Sequence, residues 1–103
     1  MEDVGELPYR IDRMLTQLRL APDKLAAAAG VVLGLFTNCE AEDEATSLSL
    51  EEVLRDRLAD PGIPVLYGLT FGHIRRNATL PFGGRARLDA DAKTLSLAER
   101  VVI

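Results

Sequence analysis

Tryptophan is absent from the sequence, and aromatic residues of all kinds fill only 5% of its 103 positions. Platforms for stacking nucleobases are therefore scarce. Charge points the same way: 12 Lys and Arg stand against 16 Asp and Glu, a formal net charge of -4, so a polyanion would find little to neutralise it. Nucleic acid is not an expected partner. Cysteine occurs once, at Cys39, which excludes an internal disulfide and fits a reducing compartment. Histidine also occurs once, at His73. One of each cannot build a zinc site, and the acidic run 40–44 lacks the ligand spacing and glycine of a calcium loop. No metal and no other cofactor is expected. The longest apolar stretch, Leu25 to Phe36, is diluted by Ala and Gly and too short to cross a bilayer. The opening Met1-Glu2-Asp3 is acidic where a secretory signal is basic. These absences lead to the expectation of a soluble, cytoplasmic protein without a membrane partner.

What is present suits an ordinary globular chain, with 48% hydrophobic and 27% charged residues. Residues 1–103 are enough for one domain and too few for two. Met1–Leu7 reads as the tail of a strand or a loop. Pro8 suits the first turn of a helix, and Ile11, Met14, Leu15 and Leu18 then follow one helical face up to Leu20. Ala21-Pro22-Asp23 ends that helix, and Lys24–Ala29 reads as a short lead-in. Gly30–Phe36 is short, β-branched and without alternation, the pattern of one buried strand. Thr37–Ser47 is acidic and reads as a solvated loop. Ser49-x-x-Glu52 is a capping box before Leu50, Val53, Leu54 and Leu58, and predicts a second helix stopped by Asp60-Pro61-Gly62. Ile63–Tyr67 predicts a second buried strand, and Gly68–His73 a turn bracketed by glycines. Arg85–Asp89 and Thr94–Leu97 alternate with period two, so Ala90–Lys93 joins them as a hairpin. The order implies a small α/β domain with a mixed sheet.

The position of His73 is suggestive, since it follows a strand, Gly68 and Gly72, where reacting groups collect in α/β sheets. On the residues alone, a single histidine there is more often structural. A histidine base needs a carboxylate to orient it and a nucleophile to deprotonate. Carboxylates are too many to choose among. The hydroxyls and the thiol are poor candidates: Ser49 is used in capping, Ser96 lies on the outer face of a hairpin, and Ser47 and Cys39 lie in the acidic segment. Asn77-Ala78-Thr79 matches a glycosylation acceptor, which a cytoplasmic protein would never have read.

The segment Glu2-Asp3-Val4-Gly5-Glu6-Leu7-Pro8-Tyr9-Arg10-Ile11-Asp12-Arg13-Met14-Leu15 closely resembles a signature of the murein LD-carboxypeptidases. These are serine peptidases that remove the terminal D-alanine of murein tetrapeptides in cell-wall recycling and are related to microcin-immunity carboxypeptidases. Gly30-Val31-Val32-Leu33-Gly34 with Phe36, Pro64 through His73, and Thr79-Leu80-Pro81-Phe82-Gly83 resemble further blocks of the family in the same order. Together the blocks cover most of the chain.

The resemblance implies a C-terminal domain of the swivelling β/β/α kind, and a triad running Ser, Glu, His along the whole enzyme. Glu2 matches the family's triad glutamate and His73 its histidine, the base towards the serine and the acid towards the leaving amine. The serine, its glycines and its oxyanion donors belong to an N-terminal domain that this chain does not contain. Glu2, with only Met1 before it, is expected to fray. Arg75 and Arg76 could meet a peptide carboxylate but read first as solvated loop charges. A homodimer is expected, with the apolar segments Leu25–Ala29 and Val101–Ile103 as parts of the surface an absent domain would cover. The competing reading is a non-catalytic interaction domain, or a truncated remnant of such an enzyme.

Overall fold

The structure, a computed structural model, describes residues 1–43, 45–59 and 62–101. In chain order its elements are β1 (Asp3–Val4), α1 (Pro8–Leu20), β2 (Val31–Leu33), β3 (Phe36–Thr37), α2 (Leu50–Leu58), β4 (Val65–Tyr67), β5 (Ala86–Asp89) and β6 (Thr94–Leu97). It is a small α/β domain with both parallel and antiparallel pairing, as the sequence implies.

Helix α1 opens on Pro8, whose fixed φ and missing N–H suit the first helical position. Ile11 and Leu15 are fully buried and Met14 packs at their edge, while Leu18 stays 43% exposed, so the apolar stripe is wider than the face that is covered. The helix ends at Ala21, which turns extended because it precedes Pro22. Residues 24–29 then make turns rather than a helix or strand, and Leu25 points inward as part of the core. That corrects the expectation that Leu25 belongs to an uncovered surface. In α2 both halves of the capping box form: Ser49 Oγ accepts from the Glu52 N–H at 3.2 Å, and Glu52 accepts from the Ser49 N–H at 2.7 Å. Leu50, Val53, Leu54 and Leu58 face the core. Of the stop signal, Asp60 and Pro61 lie outside the described residues.

The stretch expected as one strand, 30–36, divides in two. Val31-Val32-Leu33 of β2 pair parallel with Val65-Leu66-Tyr67 of β4, whereas Phe36 and Thr37 of β3 pair parallel with Asp3 and Val4 of β1. The break falls at Gly34. The Phe71 carbonyl oxygen would stand 2.3 Å from a Cβ there, so only glycine admits the passing chain. Hydrogen bonds continue across the break, with Gly34 N–H donating to Met1 O at 2.8 Å and Leu35 N–H to Phe71 O at 3.0 Å. Residues 31–37 thus form a central rail, flanked by the N-terminal segment and by the chain beyond β4. Glu2, expected at a loose terminus, is flanked by bonded residues: Met1 bonds the rail before it and β1 pairs with β3 after it.

Leu33 shares one buried cluster with Ile11 and Leu15 of α1 and Val53, Leu54 and Leu58 of α2, and Val31 and Val65 pack against that cluster. Cys39 is also fully buried in this cluster, its thiol donating to Thr37 O at 3.4 Å. The sequence reads it as part of a solvated loop; its size and apolar character place it in the core instead. The antiparallel hairpin β5–β6 docks through Leu88 against Gly30, where a Cβ would lie 2.7 Å from the leucine methyl.

Candidate functional site

Beyond β4 the chain doubles back over the rail. Gly68 and Leu69 both donate to the Leu33 carbonyl, and Phe71 O accepts from Leu35, so residues 68–71 are tied to the end of β2. Gly72 follows with φ +129°, a conformation that L side chains rarely adopt. A Cβ there would lie 3.0 Å from both Glu2 Oε2 and Leu35 O. The absent side chain lets the backbone approach the carboxylate, and His73 leaves that turn directly over it.

His73 Nδ1 lies 2.9 Å from Glu2 Oε2, a contact spanning 71 positions of sequence. The Glu2 side chain is 27% exposed and that of His73 59%. The carboxylate is therefore largely enclosed while the imidazole stands open. With Nδ1 directed to Glu2, the neutral ring carries its proton there and presents Nε2 as an acceptor. Both residues line an open groove of about 580 Å³, walled by Met1, Phe71, Asn77, Leu80 and Phe82. Phe82 is wholly exposed at its rim. Chemically, an imidazole so paired with a carboxylate and 59% exposed can act as a base.

No serine or cysteine among the described residues lines this groove. Ser47 and Ser96 are exposed elsewhere, Ser49 caps α2, and Cys39 is in the core. Arg75 and Arg76 are exposed, make no ion pair among the described residues and do not line the groove. Among the described residues no group of three or more His, Cys, Asp or Glu could hold a metal ion, and no helix is long and apolar enough to cross a membrane. A second cavity of about 610 Å³, between α2 and β4, is apolar apart from Glu51 and Arg55, which pair with each other at 2.8 Å.

Asn77 is the residue whose part the sequence reading missed. Its Oδ1 accepts the Gly72 N–H at 3.1 Å, closing the turn that carries His73. A signal was present, since Asn side chains habitually bond nearby backbone in turns.

Residues 1–88 match a family model described as the LD-carboxypeptidase C-terminal domain. A Synechocystis protein named "Putative carboxypeptidase" is 56% identical over 96 residues, which are 93% of this chain and 32% of that protein. The "Probable murein peptide carboxypeptidase" of Bacillus subtilis is 42% identical over 94 residues, covering 91% of this chain and 29% of its own length. The "Murein tetrapeptide carboxypeptidase" of Pseudomonas aeruginosa is 35% identical over 91 residues, covering 88% and 29% respectively. The chain thus spans less than a third of each of these relatives.

Proposed function

Because the chain belongs to the LD-carboxypeptidase family, matching its C-terminal domain over residues 1–88, we propose that it supplies the histidine and the orienting carboxylate of a serine peptidase acting on murein peptides. The observation that carries this reading is the Glu2–His73 contact of 2.9 Å with the imidazole open to a groove. His73 Nε2 takes the proton from a serine hydroxyl as that oxygen attacks the carbonyl before the terminal D-alanine. The same nitrogen then returns the proton to the departing D-alanine amine. Water, deprotonated by His73 in turn, attacks the acyl-enzyme, and His73 returns that proton to the serine oxygen as the acyl group leaves it. Glu2 holds Nδ1–H throughout and stabilises the imidazolium that forms twice in the cycle.

In this reading the serine and the oxyanion donors come from a separate domain that meets the face carrying His73. The murein peptide names of two relatives support the substrate class. The single thiol is in keeping with a cytoplasmic site of action.

The test is release of D-alanine from murein tetrapeptide. The 103-residue chain by itself should release none, because without a nucleophile the covalent route is closed. The chain joined to its serine-bearing domain should turn the substrate over, and His73→Ala should then lower kcat by roughly three orders of magnitude or more. A loss within about tenfold, only ~1.4 kcal/mol on the barrier, would return His73 to a structural role.

A further inference from the structure

We infer that Asn77 is a positioning residue for His73, acting through the peptide unit that joins Phe71 to Gly72. That unit is held at both ends. Its carbonyl oxygen, on Phe71, accepts from the Leu35 N–H at 3.0 Å, and its N–H, on Gly72, donates to Asn77 Oδ1 at 3.1 Å. One end is therefore tied to the central rail and the other to a side chain five residues further on. Two more bonds brace the loop from which Asn77 reaches back: Ala78 N–H to Thr70 O at 2.7 Å and Ile74 N–H to Gly72 O at 2.9 Å.

The clamp matters because Gly72 is the hinge of the site. Glycine is needed there for the backbone to pass Glu2, yet glycine is also the residue least able to hold its own φ and ψ. His73 follows that hinge directly and its side chain is 59% exposed, so packing restrains its ring only in part. The Asn77 oxygen supplies the restraint that side-chain packing would otherwise give. Without it the peptide plane can rotate and the imidazole can swing away from Glu2. This inference rests on the Glu2–His73 pair that underlies the proposed function, and it assigns Asn77 no contact with substrate.

The ring tautomer of His73 reads the geometry directly, in the 103-residue chain and without any assay of activity. Imidazole ¹⁵N shifts at about pH 9, above the ordinary titration of histidine, distinguish a proton on Nδ1 from one on Nε2. Wild type should hold the proton on Nδ1, and Glu2→Ala should release that preference. Asn77→Ala should lower the Nδ1–H fraction at least about twofold, whereas Asn77→Asp, which keeps an acceptor at the same reach, should preserve it. If Glu2→Ala shifts the tautomer and Asn77→Ala does not, the positioning role is wrong and the pair stands. If Glu2→Ala leaves the tautomer unchanged, the pair itself fails and both readings fall. Should Asn77→Ala not fold, the Gly72 amide of the wild-type chain decides. Exchange slowed at least about tenfold relative to an open amide supports the bond, and free exchange overturns it.

Discussion

At the scale of single residues, the proposed function divides one task unequally between His73 and Glu2. Only the imidazole changes protonation during the proposed cycle, while Glu2 orients it and offsets its transient charge. Glu2→Gln keeps an oxygen that can accept from Nδ1 and removes only the charge. It should therefore lower kcat of the joined enzyme less than His73→Ala does, with KM little changed. Glu6 provides the control. It lies just ahead of α1 and pairs with Arg10 at 3.3 Å, and Glu6→Gln should be nearly silent. A crippling Glu6→Gln beside a harmless Glu2→Gln would show that the carboxylate has been assigned wrongly. Gly72 makes the complementary prediction. A methyl group at φ +129°, 3.0 Å from the Glu2 carboxylate, should cost about 1–3 kcal/mol and lower kcat by displacing the ring. Thermal melts together with single-turnover rates separate the two effects. A Gly72→Ala variant with wild-type melting and rate would remove the hinge from the account.

Elements are coupled most clearly where α1 meets α2. Asp12 of α1 and Arg57 of α2 form a hydrogen-bonded ion pair, and each side chain keeps less than a third of its surface exposed. Hydrogen bonding from the Arg57 guanidinium holds the Asp12 carboxyl below its ordinary range, against an opposing push from burial. The carboxyl is thus more acidic in the folded chain than in the unfolded one. Its contribution is complete above the ordinary Asp value, near about pH 4, and disappears as pH falls through the lower folded value. Asp12→Asn should accordingly cost about 1 kcal/mol at neutral pH. It should also flatten the loss of stability below about pH 4 that wild type shows. Urea melts across that range test it, and parallel wild-type and variant curves would remove the pair from the acid response. The core beneath is firmer. Ile11, Leu15 and Val53 are at most 1% exposed, and trimming either of the larger two to alanine should cost about 2–5 kcal/mol.

For the whole molecule, the radius of gyration is 14.6 Å, above the roughly 13 Å of a compact chain of this size. Its extents of 49 by 34 by 24 Å describe an elongated body. Large apolar side chains remain outside: Leu20 is 79% exposed, Tyr67 53% and Phe82 fully. Of the apolar segments expected from the sequence to lie uncovered, Leu25 is in the core, Ala26, Ala27 and Ala29 are exposed, Val101 is half-buried, and Val102 and Ile103 lie outside the described residues. The side chains just named are better candidates for a covered face. We expect the isolated chain to self-associate through such surface. Sedimentation at micromolar concentrations checks this, and a monomer with no concentration dependence would end the expectation.

The sequence by itself determined what depends on neighbours three or four positions away. The stripe from Ile11 to Leu18, the Ser49–Glu52 box and the alternation of Arg85–Asp89 against Thr94–Leu97 each specify their element through local geometry. The family pattern likewise singled out Glu2 and His73, because motif resemblance survives in the chain however it folds. Distance between those two residues was another matter. Nothing local tells a carboxylate at position 2 that an imidazole 71 residues on will meet it; that follows from residues 31–37 bonding the N-terminal segment on one side and residues 65–71 on the other. The same return of the chain splits the expected strand at Gly34, where Phe71 needs the space of a missing side chain. Tertiary packing also took Cys39 out of its acidic surroundings and into the core. Asn77 shows the limit most plainly, since its role depends on a backbone N–H that only the folded turn around Gly72 presents to it.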